Sequence, residues 1–233
     1  MIIDLQDVGV RYYTYSATAA LTLIACQKNG KKVIILDRPN PLGGEIVEGA
    51  VLEASLQNSI AAFHPIPTRH GRTLGELALY FNRTYAINAD LEVVPMSGWA
   101  RALLWNQTDL RWVAPSPALI SFEQTWLYGL FGAFESFNFA VGRGQDNSEA
   151  FKIYGAPWIS TAKQNELLAK LRSRHLPGLK FQPVKWTPTR REYQGKPCLG
   201  FRIQTTNPSE VEGFRSLLEI YQTLSEVLGG PVR

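Results

Sequence analysis

Ile2-Ile3-Asp4-Leu5 and Lys32-Val33-Ile34-Ile35-Leu36 are two short apolar runs, and Tyr15–Lys28 between them is rich in Ala, Leu and Thr. Short apolar runs bounded by polar loops read as buried strands. The longer stretch reads as a buried helix stopped by Asn29-Gly30. Strand, helix and strand in that order make a βαβ unit, with parallel strands and a right-handed crossover. A run as apolar as Val33-Ile34-Ile35-Leu36 fits a parallel sheet. Ile2–Leu5 looks central as well, which leads to the expectation that its sheet neighbours precede it. The expected class is α/β.

Further along, Thr73 and Glu76 form a capping box opening a helix over Leu74–Arg83. Leu91–Pro95 reads as a strand, Ser121–Phe131 as an apolar helix, and Phe134–Val141 as an extended segment. Thr161 with Gln164 suggests a capped helix running to about Arg174. Leu179–Trp186 and Leu199–Thr205 alternate as strands do. Asn207, Pro208 and Glu210 stand as N-cap, N1 and N3 of a last helix ending near Gly229-Gly230. The division expected is residues 1–90 as the βαβ half and 91–233 as a second α/β (α+β) lobe.

The 233 residues suffice for one large domain or two small ones. A net charge of +4 is spread along the chain, so the basic stripe of a nucleic-acid-binding module is missing. A few arginines around a small anionic substrate fit this charge better. Cys26 and Cys198 stand far apart, and His64, His70 and His175 are scattered, so neither a metal site nor a disulfide framework is suggested. No apolar run reaches transmembrane length, and the opening residues lack signal-peptide character. No cofactor motif is found either. Gly142-Arg143-Gly144 is not a dinucleotide fingerprint, and there is no Walker loop.

Four loop clusters carry the chemistry. Asp7, with Gly9 and Arg11, lies at a strand-to-helix turn. Asp37, Arg38 and Asn40 follow the second strand, with Glu45 and Glu48 soon after. Arg69 and His70 precede the helix at Thr73. Glu135 and Asn138 lead into Arg143. Each has a structural alternative: Asp7 as a turn cap, Asp37-Arg38 as a local ion pair, Glu135 as a buried carboxylate bonded to backbone amides. Most of the six tryptophans belong in the core. Trp158, in Gly155-Ala156-Pro157-Trp158, is the exception best placed to stack on a sugar.

The ordered set of motifs resembles a bacterial family first catalogued as a domain of unknown function, whose characterised members are exo-β-N-acetylmuramidases. The residues that carry the resemblance are Asp4-Leu5-Gln6-Asp7-Val8-Gly9 with Arg11, Leu36–Gly44, Arg69-His70-Gly71, Thr73–Leu77, Met96 with Gly98-Trp99, Trp112–Pro117, Phe134-Glu135, Gly142-Arg143-Gly144 and Gly155–Trp158. The likeness weakens after Thr187. It implies a Rossmann-like half and a second lobe with the site in the cleft between them. It also implies release of N-acetylmuramic acid from the non-reducing ends of peptidoglycan fragments. The partners would be muropeptides or disaccharides. Muramic acid carries a lactyl carboxylate, for which Arg38, Arg69 and Arg143 are available, with Arg69 and Arg143 preferred. Glu135, Asp7 and Glu48 are the catalytic candidates. Asp37, Arg38, Asn40, Arg69, His70, Asn138, Arg143 and Trp158 are the substrate-binding ones. Glu135 stands between aromatic residues, where desolvation suits acid–base work.

The departures set further expectations. Relatives carry, before the first strand, a segment with a Pro-Glu-His-Gly motif whose glutamate resembles the acid catalyst. They are commonly exported on a signal within that segment, so location stays open. The family's Glu-Gly-Thr-Asn stands here as Glu135-Ser136-Phe137-Asn138, and its Gly-Arg-Gly-Thr as Gly142-Arg143-Gly144-Gln145. The expectation is an N-terminally truncated member with weakened turnover and an exposed sheet edge prone to self-association. A non-catalytic muropeptide-binding module is the alternative. An unrelated Rossmann-like transferase is disfavoured by the missing phosphate loop.

Overall fold

The alternation of Val33 and Ile35, both buried, with more exposed neighbours puts one face of the second strand into a core. In the structure, a computed structural model describing residues 1–57, 59–144 and 146–229, that strand is the centre of a parallel sheet. Strand β1 (Ile2–Ile3) pairs with β2 (Val33–Leu36), Ile3 opposite Ile35, and β2 pairs with β3 (Leu91–Val94), Leu36 opposite Val94. Strand β1 is an edge of the described sheet, and Ile2 is exposed.

Helix α1 (Tyr15–Lys28) joins β1 to β2, and α2 (Leu74–Thr84) lies between β2 and β3. Ala17, Ala19 and Ala20 are fully buried, so α1 brings its backbone close to its neighbours, and Leu23 with Cys26 completes the apolar side. Ile3, Ala19, Leu23, Val33, Ile35, Leu74 and Ala78 make one core. The expected capping box is present: Thr73 Oγ1 accepts from Glu76 N at 3.2 Å, and Glu76 Oε2 accepts from Thr73 N at 3.0 Å.

Beside α2, His64 is stacked on Phe81 with ring centroids 3.7 Å apart, and on Tyr85 at 4.6 Å. Burial pulls its pKa from 6.5 down to about 4. In the window between those values the unfolded chain holds a proton that the folded chain does not. Stability therefore falls as pH drops from 6.5 towards 4, by at most about 1.4 kcal/mol per pH unit, and levels off below. His64→Phe keeps the stack and should flatten this slope. Urea titrations from neutral pH to about 4 would read it, and an unchanged slope would show that His64 does not cause it.

The chain divides into two compact units, Met1–Arg111 and Trp112–Arg233. Strand β3 belongs to the first sheet through its pairing with β2. The second unit is an antiparallel sheet in the order β4-β6-β5, formed by β4 (Ile153–Ala156), β5 (Leu179–Trp186) and β6 (Cys198–Thr205). Pro183 sits on the edge strand β5, where a missing N–H is tolerated. Helices α3 (Phe122–Phe131), α4 (Thr161–Ser173) and α5 (Gly213–Leu228) complete the unit. An antiparallel sheet with its own helices is α+β in character, as expected for the second lobe.

Three local expectations change. Phe134 is fully buried against Phe131 and Tyr154, so Gly132–Ser136 continues α3 as a 3-10 turn instead of extending. The cap of α4 is Ser160, which accepts from Lys163 N, while Gln164 reaches Val184 O and Gly200 O. Asn207 caps a separate 3-10 turn, Pro208–Glu210, and α5 starts only at Gly213. It ends on Gly229 with φ +84°, a left-handed stop, and Gly230 lies outside the described residues. No helix among the described residues is long and apolar enough to cross a membrane.

Candidate functional site

In the first unit the loops after β1, after β2 and before α2 are laced into one buried knot. Arg69 forms antiparallel bridges with Val10 and with Glu48, exchanging backbone hydrogen bonds with Glu48 at 2.9 and 3.1 Å. Its side chain, 3% exposed, donates from Nη1 to Glu48 Oε1 at 3.0 Å and from Nη2 to the carbonyl of Leu42. Burial lowers the guanidinium's pKa, and Glu48 opposes that shift. Asn40 joins the same loops, accepting from Leu42 N at 2.9 Å and donating to Arg72 O at 3.0 Å. Gly9 packs directly on Asn40 with φ +84°, so a side chain there would collide with the amide.

Asp7 and His70 are buried side by side. Asp7 Oδ2 accepts from Gly9 N at 2.8 Å and stands 3.4 Å from His70 Nε2. His70 Nδ1 accepts from Arg72 N at 3.2 Å, so a neutral ring carries its proton on Nε2, facing Asp7. Asp7, Asn40, Glu48, Arg69 and His70, from three separate loop clusters, are thus brought together. They are turned inward, however, so Arg69 is committed to Glu48 and Leu42 and is not open to a substrate carboxylate.

Asp37 and Arg38 stand apart from the knot. Asp37 accepts from Gly75 N at 2.9 Å and Thr73 Oγ1 at 2.6 Å, which anchors the N-terminus of α2. Arg38 Nε is paired with Asp4 at 2.6 Å on a solvated rim, and this hydrogen bond holds the Asp4 carboxyl below its usual range. Both line a cavity of about 640 Å³ with Asp4, Met96, Trp99 and Leu110. It lies at the carboxyl ends of β1, β2 and β3, where open parallel sheets take ligands. Trp99 and Met96 carry no chemical signal of their own in the sequence; the family resemblance and their place after a strand are what point to them.

The second unit holds the remaining candidates. Arg143 is ion-paired with Glu135 and lies 5.2 Å over the Phe151 ring. Glu135 is 38% exposed, so it is not a desolvated carboxyl among aromatics; Phe134 is buried and Glu135 points to the arginine and to water. Beside them Tyr154 is fully buried, and that burial, aided by the charge of Glu135, pushes its phenol up and keeps it protonated. Gly142, with φ +71°, packs on the carbonyl of Glu149 and turns the chain at Arg143. Gln145 lies outside the described residues.

Trp158 is 44% exposed, and its ring stacks on Phe139 at 5.9 Å. Its Nε1 donates to Tyr193 Oη at 3.1 Å, and Tyr193 Oη bonds Asn138. Tyr193 was not a candidate from sequence, because it lies in a charged loop with no motif around it.

Comparison with known proteins places each half of the chain. The family description exo-β-N-acetylmuramidase NamZ, N-terminal, matches residues 1–123, and its C-terminal counterpart matches residues 126–230. Peptidoglycan β-N-acetylmuramidase NamZ of Bacillus subtilis (strain 168) is 39% identical over 97% of this chain and 53% of its own length. The chain thus spans about half the length of that curated relative. Two crystal structures of DUF1343-family proteins from Bacteroides fragilis NCTC 9343 superpose on it. One has TM-score 0.87 at 29% identity, over 97% of this chain and 58% of that one. The other has TM-score 0.75 at 28% identity, over 96% and 59%.

Proposed function

Because the chain belongs to the exo-β-N-acetylmuramidase NamZ family of peptidoglycan glycoside hydrolases, we propose that it binds the terminal N-acetylmuramic acid of wall fragments and acts in releasing it. The observation that carries this reading is Arg143. Of the arginines expected to meet the lactyl group, Arg69 is enclosed and Arg38 is paired on a solvated rim. Arg143 is 15% exposed and paired to a half-exposed glutamate, so a ligand carboxylate can compete for it. Asn138 and Trp158 belong to the same unit and supply polar and stacking contacts.

Calorimetry with N-acetylmuramic acid and N-acetylglucosamine tests this. A charged hydrogen bond contributes about 1.5–3 kcal/mol, so the muramic sugar should bind more than about tenfold better, and Arg143→Ala should erase the difference. Equal affinities in the unsubstituted chain, or an unchanged preference in the variant, would overturn the reading.

The proposal extends to weak turnover by this chain alone. Asp7 and Glu48 are held in the knot, which leaves Glu135 as the solvent-facing member of the catalytic candidates. Glycoside cleavage uses two groups, and the substrate's acetamido group can serve as the second. A non-catalytic binding module rests on the same commitment of Asp7 and Glu48. Binding of a chromogenic muramic-acid glycoside with no release of the chromophore would favour it. Self-association through β1, an edge of the sheet among the described residues, is part of the same proposal. A sedimentation mass that stays monomeric as concentration rises would rule that out.

A further inference from the structure

We infer that Tyr193 is a positioning residue that fixes the Trp158 indole and the Asn138 carboxamide as one saccharide-stacking site in the second unit. The inference rests on the reading that this chain binds wall saccharides, and adds to it the residue that orders the site.

The proton inventory fixes the arrangement. An indole N–H only donates, so the 3.1 Å bond from Trp158 Nε1 makes Tyr193 Oη the acceptor. The phenol then has a single proton to give, and its partners are the Asn138 carbonyl oxygen at 3.3 Å and the Asn138 Oδ1. With its Oδ1 accepting from that hydroxyl, the Asn138 amide turns its Nδ2 donors away from Tyr193. Phe139, 1% exposed, backs one face of the indole at an interplanar angle of 20°, while Trp158 as a whole stays 44% exposed. The result is an apolar platform with an N–H donor beside it. That pairing suits an N-acetylated hexosamine, whose ring C–H face stacks while an acetamido or hydroxyl oxygen accepts.

Tyr193 holds φ +59° and Arg191 φ +60°. Left-handed backbone at residues with a Cβ costs free energy and persists only where the surroundings enforce it. The hydrogen bonds of the Tyr193 hydroxyl to both sides of the site are contacts able to enforce it.

The test uses the full chain and N-acetylmuramic acid as the probe. Tyr193→Phe should shift the Trp158 indole N–H resonance, identified by its loss in Trp158→Phe, and speed its exchange with water. The same variant should bind the sugar roughly three- to tenfold more weakly, with its thermal midpoint unchanged. In a Trp158→Ala background the substitution should add only the smaller share that runs through Asn138, because the indole it positions is gone. An unmoved indole resonance overturns the inference whatever the sugar does. So does a full additive loss in the Trp158→Ala background, or unchanged affinity in Tyr193→Phe. If Trp158→Ala is neutral while Arg143→Ala abolishes the muramic preference, the inference fails and the proposed function stands. If the unsubstituted chain binds no muramic sugar, both fail together.

Discussion

Arg69→Met is expected to lower the unfolding free energy of the first unit by about 3–5 kcal/mol. The guanidinium is buried and holds the Glu48 carboxylate on one side and the Leu42 carbonyl on the other. Methionine fills most of the volume but offers no donor. Glu48, 21% exposed, then keeps its charge in a poorly hydrated place, and Leu42 O loses a charged partner. The cost comes from what is left behind more than from the pair itself. Arg69→Met with Glu48→Leu should therefore recover much of the loss, since an apolar replacement of a buried pair is often near neutral. Urea unfolding with an unchanged m-value would read both effects. A loss under about 1 kcal/mol would mean that the guanidinium is not enclosed, and Arg69 would return to the list of substrate ligands.

This commitment explains why sequence led further in the fold than in the site. The Thr73–Glu76 box, the helix Tyr15–Lys28 and the strand Leu179–Trp186 rest on near neighbours in the chain, and the structure matches them closely. Strand β4 was missed for a physical reason. All four of its residues are buried, so no alternation is visible. Its Gly155 lies opposite Gly200 of β6, and side chains at either would collide with the facing backbone. Only the partner strand explains those glycines.

The site shows the same limit. Sequence singled out the polar residues of the loops as a group, because charged side chains beside Gly and Pro need a reason. It could not separate those that brace the loops from those that face water. Asp37 and Arg38 are adjacent in the chain, yet one anchors a helix and the other meets Asp4 at the surface. Arg69 and Arg143 look equivalent on paper and differ in what already occupies their donors. Tyr193 shows the converse, a residue with no pattern whose partners lie 35 and 55 positions away.

Glu135→Gln is expected to reduce release of a chromogenic muramic-acid glycoside by about 10²-fold or more, the usual contribution of general acid–base catalysis. The argument is one of access. Asp7 is enclosed beside His70, and Glu48 is held by Arg69, so neither meets a glycosidic oxygen without unpicking the knot. Glu135 is 38% exposed and needs only to leave Arg143, the group proposed to turn to the substrate's lactyl carboxylate. Binding of that carboxylate would therefore loosen Glu135 from its pair as the sugar arrives. Glutamine keeps the shape but removes the transferable proton and the charge that competes for Arg143, so sugar affinity should hold or rise while turnover falls. Asp7→Asn should do the reverse, lowering stability while each folded molecule keeps its turnover. Equal turnover in Glu135→Gln and the unsubstituted chain, or no turnover in either at high protein concentration, would remove Glu135 from the chemistry and leave it as the counter-ion of Arg143.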